Sequence, residues 1–348
     1  MAELNAVNIL NAIRNSASAK YKELIPEATR TNISKIGDYI VAYDLMTDFL
    51  TGIYSKVAFE NIVAKDFKNP LALFKKSSDL LLNYGTIEEV YINPSPDRLT
   101  PSDGSGLLTA NNPKGYSVYH ALNRQSTLKQ TVNQLQAHKA FQNENAFMQW
   151  YNAVVIALSS GDNIAEFNLM KDTIGQGIQK GVLYNVEFTE DISKLSKTLS
   201  GYGRNFAFPS GDYNFYSVRA KKDYKGPSGQ FNAPVVTWTK PEDIVLIVPA
   251  TIQNEIDYEY LANAYNLSIV DMRSKTILVD AIDIGDDKTF LGLIADRNFL
   301  QAYDAVYKPS QFYNPERDEY TLYLHHWQYF FLSAFANCVC LYKTKNES

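Results

Sequence analysis

The chain has 348 residues, 45% of them hydrophobic and 20% charged, which is ordinary globular material and enough for two modest cores in two lobes. Its 33 Lys and Arg against 38 Asp and Glu leave a net charge of -5, which excludes a surface built to grip duplex phosphates through clustered cations. An acidic protein remains compatible with enclosing DNA without holding it.

The opening MAELNAVNILNAIRN has no basic segment followed by an apolar core, so no secretory signal is expected and synthesis belongs in a cytoplasm. Residues 3–15 place Leu4, Val7, Ile9, Leu10 and Ile13 near helical period. A second helix is predicted from Asp38 to Ile53, carried by Ile40, Val41, Leu45, Phe49 and Leu50. The stretch from Asn69-Pro70 to Asn83 is apolar but short, and TIEEVYI (86–92) has strand character. Asn93 to Gly115 is crowded with Pro, Gly, Ser and Asn and has only Leu99, Leu107 and Leu108 to bury. Loops of that length are uncommon inside a compact domain, so a neighbouring subunit is expected to hold it.

Glu144 to Ser159 predicts a helix with Phe147, Met148, Tyr151, Val154, Val155 and Leu158 on one side, ending at Ser160-Gly161. Asp162 or Asn163 then caps a second helix to Gly181, about 17 residues or roughly 25 Å at 1.5 Å each. Asp191 to Ser200 is helix-like, residues 201–237 read as loops and a hairpin at an edge, and DIVLIV (243–248) reads as a buried strand. Pro249 is expected to start a helix running through Asn266, and Thr276–Val279 and Phe290–Ala295 read as strands. The aromatic close of the chain predicts two more strands, Thr321 to Leu332 and Asn337 to Tyr342, broken near Ser333. His325, His326 and Gln328 in its middle exclude a membrane span. Trp327→Ala is expected to cost about 3 to 5 kcal/mol as a core truncation.

Catalytic patterns are weak. His120, His138, His325 and His326 have no metal-ligand spacing and read as structural. Gly175, Gly177 and Gly181 lie in a helical pattern with no preceding strand, so they read as allowing close helix packing rather than binding a dinucleotide. Glu88-Glu89 and Asp286-Asp287 read as solvated pairs, RAKKDYK (219–225) as a solvated hairpin tip, and Cys338 and Cys340 as buried reduced thiols. No catalytic residue, cofactor or metal is assigned.

The stretches ILNAIRNS (9–16), NPLALFKK (69–76), GTIEEVY (85–91), IVPATIQNEIDYEYLANAYN (247–266), FLQAYDAVYKPSQFYNPERDEYTLYLHHWQ (299–328) and FANCV (335–339) occur in an order that resembles the major capsid proteins of phi-29-like small tailed podophages. The resemblance implies an α+β fold of the Hong-Kong-97 type. Residues 1–68 would form the N-terminal arm and the start of the peripheral domain, 69–87 more of that domain, and 88–129 the E-loop. Residues 130–186 would hold the spine helix (about 163–181), 187–311 the axial domain, and 312–348 the closing strands of the peripheral domain. Some relatives carry a further C-terminal immunoglobulin-like domain, for which the chain ending at Ser348 leaves no room. The implied function is a virion shell that self-assembles from pentamers and hexamers in the host bacterial cytoplasm around double-stranded DNA, without specific DNA binding or membrane. A scaffolding protein and a portal protein at one vertex are the implied partners. Expected contacts between copies are Ile9, Leu10 and Ile13 in the arm and Arg98, Leu107, Leu108 and Lys114 in the loop. An encapsulin-like cellular compartment is the alternative, and no Lys–Asn crosslinking pair is identifiable.

Overall fold

The structure is a computed structural model that describes residues 6–57, 67–76, 85–94, 115–133, 138–217, 235–265 and 268–345. It begins with four helices, α1 (Ala6–Ser16), α2 (Ala19–Leu24), α3 (Ile33–Ala42) and α4 (Met46–Val57). The short strand β1 (Lys75–Lys76) precedes β2 (Thr86–Ile92), β3 (Gly115–Ala121) and β4 (Arg124–Asn133). Helix α5 (Glu144–Gln179) leads to β5 (Tyr184–Glu187), α6 (Leu195–Phe206) and β6 (Ile244–Pro249). Then come α7 (Tyr258–Tyr265), α8 (Ile269–Ser274), β7 (Thr276–Val279) and β8 (Lys288–Asp296). The chain closes with β9 (Leu300–Asn314), β10 (Glu319–Leu332) and β11 (Cys338–Thr344).

The strands form a four-stranded sheet in the order β1-β9-β10-β4, a five-stranded sheet in the order β5-β11-β8-β6-β7, and the two-stranded ribbon β2-β3. Three main clusters bury the apolar side chains. One joins α1, α3 and α4 to the first half of α5 and to Tyr320 and Leu322 of β10. A second lies between the other half of α5 and one face of the five-stranded sheet, and the third covers the opposite face of that sheet with α6, α7 and α8. With helices on both faces, all six residues of β6 are buried, which is why IVLIVP shows no alternation. Helix α5 and the five-stranded sheet each serve two of these clusters.

Helix α5 departs most from expectation: it is one helix of 36 residues, about 54 Å long at 1.5 Å per residue. Gly161 does not end it, because its backbone stays out of the left-handed region that a glycine C-cap uses. Instead its missing side chain leaves room for Leu128 of β4. The buried stripe continues through the supposed break as Leu158, Asp162, Glu166 and Met170, four residues apart, so two inward carboxylates mimic a polar interruption. Farther along, a Cβ at Gly175 would overlap the Asp283 carbonyl and one at Gly177 would overlap Leu332, so both glycines permit close packing. Gly181, at φ 64°, supplies the left-handed turn after the helix end.

Other differences have local causes. The helix expected over 38–53 is divided between α3 and α4 by Asp44 at φ 52°, a conformation that asparagine and aspartate tolerate better than most residues. After Pro249 the chain makes a 3-10 turn over Ala250–Glu255, and Asp257 then caps α7 by accepting from the Tyr260 N–H at 2.9 Å. Helix α6 extends to Phe206, past the expected loop start. Strand β9 has no counterpart among the expected strands, and Asp318 at φ 51° completes the turn that joins it to β10. The two closing strands also part company: β10 lies in the four-stranded sheet, whereas β11 joins β5 and β8.

Candidate functional site

Ribbon β2–β3 pairs seven positions from Thr86↔Ala121 to Ile92↔Gly115. Each strand alternates half-buried and exposed residues, as a pleated ribbon must when one face lies on its own subunit. That inner face is fastened at several points. Glu89 accepts from the Ala334 N–H at 3.1 Å and from the Ser333 hydroxyl, and lies 3.2 Å from His120 Nε2. The His120 ring stacks on Phe331 at 3.7 Å between centroids. At the root, the Tyr329 hydroxyl donates to the Gly85 carbonyl at 2.7 Å. Toward the far end, the Tyr91 hydroxyl donates to the Val236 carbonyl at 2.6 Å, while the Asn93 side chain accepts from the Val236 N–H at 3.0 Å. Tyr91 also stacks on Phe335, and Tyr116 meets Tyr216.

The outer face is different. Val90, Ile92 and Tyr119 are 59%, 63% and 64% exposed, with Glu88 accepting from the Tyr119 hydroxyl at 2.9 Å beside them. Glu88 and Glu89, adjacent in sequence, therefore do unlike work: Glu88 stands on the exposed face and Glu89 is a half-buried anchor. The reading of Glu88-Glu89 as a solvated pair holds only for Glu88.

Beneath the ribbon's root, Arg124 opens β4 and points into a buried polar cluster. Its Nη2 donates to Asp162 at 2.6 Å, its Nε to the Ser126 hydroxyl at 2.9 Å, and its Nη1 to Gln328. His326 of β10 has Nδ1 2.7 Å from Asp162 and Nε2 3.0 Å from Asp304. Glu166 accepts from Gln328 at 3.1 Å, from Asn69 at 3.2 Å and from Lys75 at 3.3 Å, and Lys75 also lies 3.1 Å from Asp304. A bulge between Trp327 and Gln328 puts Asp304 opposite Gln328 while His326 stays opposite Tyr307. Burial alone would raise the two aspartates, but the His326, Arg124 and Lys75 partners hold Asp162 below and Asp304 well below the usual carboxylate range. Desolvation, helped by the surrounding carboxylates, pushes the Tyr307 hydroxyl up to about 12.

Asp162, Glu166 and His326 bring possible ligand atoms within 4.8 Å of one another, a spacing that would suit a cation. Arg124, Lys75 and Gln328 already satisfy those carboxylates, so the site is filled by the protein's own donors. Sequence reading missed this cluster. The available signals were Asp162 and Glu166 one helical turn apart, and His326 and Gln328 two apart in an otherwise apolar strand.

The remaining candidate residues fall elsewhere. Ile9, Leu10 and Ile13 are buried in the subunit's own first cluster, so the expectation that they contact other copies is corrected: helix formation turns them inward. Arg98, Leu107, Leu108 and Lys114 lie outside the described residues, as does the RAKKDYK stretch. His138 pairs with Asp38 at 3.1 Å on the surface, and His325 lies between Thr127 and Ser310. Asp286 and Asp287 are exposed in a turn, and Cys338 and Cys340 are buried free thiols raised by desolvation. No described helix is long and apolar enough to cross a membrane.

The family model of the Phi29-like phage major capsid protein matches residues 10–342. The major capsid protein of Bacillus phage PZA is 25% identical over 344 residues, covering 95% of this chain and 72% of its own. That of Streptococcus phage Cp-1 is 25% identical over 351 residues, covering 96% and 93% respectively. Among solved structures, the capsid of Staphylococcus phage Andhra superposes with a TM-score of 0.63 at 16% identity, over 82% of this chain and 87% of the other. A chain from the phage P68 head-fiber and inner-core structure gives a TM-score of 0.55 at 18% identity, over 81% and 86%. Those likenesses show the Hong-Kong-97-like fold, and the family match displaces the encapsulin alternative. The chain belongs to the Phi29-like phage major capsid protein family.

Proposed function

We propose that copies of this chain associate as pentamers and hexamers and close into the icosahedral-type head of a small tailed phage, with ribbon β2–β3 carrying contact between neighbours. The observation behind this reading is the ribbon's division of labour. One face is tied to its own subunit through Glu89, Tyr91 and His120, while Val90, Ile92 and Tyr119 on the other are about three-fifths exposed. Apolar side chains held outward on a fixed support suit burial against another copy.

In this reading residues 88–129 are the E-loop, and α5 is the spine of the peripheral domain over 130–186, which residues 1–68 and 69–87 complete. The axial domain follows from 187. Sheet membership supports ending it near residue 299 rather than 311, because β9 pairs with β10, and returning β11 to it from the closing segment 312–348. Arg98, Leu107, Leu108 and Lys114 keep their place as contacts in the loop, whereas Ile9, Leu10 and Ile13 give theirs to Val90, Ile92 and Tyr119. The chain works by binding itself, without catalysis. A scaffolding protein during assembly and a portal protein at one vertex are the partners such a shell requires, and the net charge of -5 suits DNA that is enclosed rather than gripped.

The test is electron microscopy of the chain expressed with its scaffold, beside a Val90→Asp/Ile92→Asp variant. Wild type should give discrete shells, and the variant should give folded subunits with an unchanged circular dichroism spectrum and few shells. Normal shells from the variant would remove the ribbon from the interface. A wild-type chain that stays monomeric under all conditions would refute the shell.

A further inference from the structure

Six ionisable groups from five elements meet below the ribbon's root: Lys75 on β1, Arg124 on β4, Asp162 and Glu166 on α5, Asp304 on β9 and His326 on β10. Both nitrogens of the His326 ring face carboxylate oxygens, Asp162 at 2.7 Å and Asp304 at 3.0 Å. A neutral imidazole has one N–H and would turn its bare nitrogen toward one of those acceptors: bare Nε2 would face Asp304, and bare Nδ1, although Arg124 Nη1 stands 3.5 Å away as a long donor, would face Asp162 at 2.7 Å. Only the imidazolium donates to both. The same state balances charge, because Lys75, Arg124 and His326 then offset Asp162, Glu166 and Asp304. Without that proton the cluster holds one uncompensated negative charge where His326 is 1% exposed.

We propose that this cluster is a proton-operated clasp, in which protonated His326 holds β4, and with it the root of ribbon β2–β3, against α5, and loss of the proton loosens that attachment. Position makes the clasp matter. Arg124 stands three residues beyond the end of β3, and its guanidinium reaches Asp162 in the middle of α5. The proton can leave through Asp304, the most exposed carboxylate of the cluster at 39%. Tyr307, edge-on to the His326 ring at 4.9 Å, is the remaining titratable neighbour and stays neutral until strongly alkaline pH. Desolvation alone would lower the imidazole, but hydrogen bonds and charges from Asp162 and Asp304 raise it above its ordinary 6.5. A raised pKa gives stabilisation that is complete below the unfolded value and is lost as pH rises through the folded value. The clasp therefore opens on the alkaline side. It is a property of the subunit and stands apart from how copies associate.

Two measurements on the full chain test this. Exchange of each imidazole C2 proton, followed by mass spectrometry against pH, should place His326 above 6.5, and a value at or below 6.5 overturns the proposal. Denaturant unfolding between pH 6 and 9.5 should show wild type losing about tenfold in its folding constant for each unit by which the folded pKa exceeds 6.5. Amide exchange in residues 115–133, corrected for intrinsic rates, should accelerate over the same range. His326→Gln should be less stable than wild type at pH 6 and should lack that loss, whereas His138→Gln should retain it. Matching pH profiles for wild type and His326→Gln, or acceleration spread evenly over the chain, would overturn the clasp. If His326→Gln does not fold, the C2-proton and amide measurements on wild type decide alone.

Discussion

Replacing Glu89 by alanine should loosen the ribbon without unfolding the subunit. The carboxylate receives the Ala334 N–H at 3.1 Å and the Ser333 hydroxyl, and lies 3.2 Å from His120 Nε2, all in half-buried surroundings. Hydrogen bonds to a charged acceptor contribute about 1.5–3 kcal/mol each when buried. Partial solvation of the Glu89 carboxylate brings the sum for the substitution to about 2–3 kcal/mol. Tyr91 to Val236 and Tyr329 to Gly85 would still hold the ribbon's two ends. Local opening should thus become about 30- to 150-fold more frequent, taking tenfold per 1.4 kcal/mol. Hydrogen exchange resolved to peptides reads this directly: residues 86–92 and 115–121 should exchange faster, with β6 and β8 unchanged. Unaltered exchange in the ribbon would refute the anchoring role of Glu89, and a uniform rise across the chain would mean that the residue supports the global fold instead.

Four other substitutions check the packing. Phe49 is fully buried among Phe141, Phe147 and Trp150, so Phe49→Ala should cost about 3–5 kcal/mol in denaturant unfolding. Trp327 is only half-buried beside Ala305, Tyr329 and Phe331, so Trp327→Ala should cost about 1–3 kcal/mol, less than a core position suggests. Gly175→Ala should destabilise by about 1–3 kcal/mol, because its Cβ meets backbone at Asp283. Gly201→Ala in α6, with nothing within 4 Å of the added carbon, should stabilise by about 0.5–1 kcal/mol. Equal shifts of the Gly175→Ala and Gly201→Ala urea midpoints would contradict the packing described for α5.

What could be read in advance follows from which forces are local. Strands β2 and β7 matched their expected bounds, and the expected span of β6 differed by a residue at either end, because β-branched runs flanked by turn residues carry their own signal. The continuity of α5 was hidden because Asp162 and Glu166 look like a helix start until Arg124 and Lys75, far away in sequence, supply their partners. Strand β9 was hidden for a related reason. Its middle, Tyr307 to Phe312, is largely exposed or half-buried and includes Pro309, so only pairing with β10 identifies it. The ordered resemblance located the loop, but the burial of Ile9, Leu10 and Ile13 depended on α4 and α5 folding over them. Glu89 and Glu88 could not be told apart until the ribbon's inner face was known.

The bulge in β9 has a further consequence. In a regular strand, residues 304 and 307 are separated by an odd number and must point to opposite sides of the sheet. Here Ala305 is the surplus residue: it takes no partner in β10 and packs on the far side with Tyr329 and Phe331. That one uncounted position resets the parity of the strand, so Asp304 and Tyr307 arrive on the same side as His326 and Gln328. Drawing Ala305 into the ladder would move every β9 side chain before it one place and turn it to the wrong surface, whereas deleting Ala305 would leave Val306↔Trp327 and Asp304↔Gln328 as consecutive pairs on their present sides. What the strand must keep is therefore its register against β10, with Ala305 held out of the count.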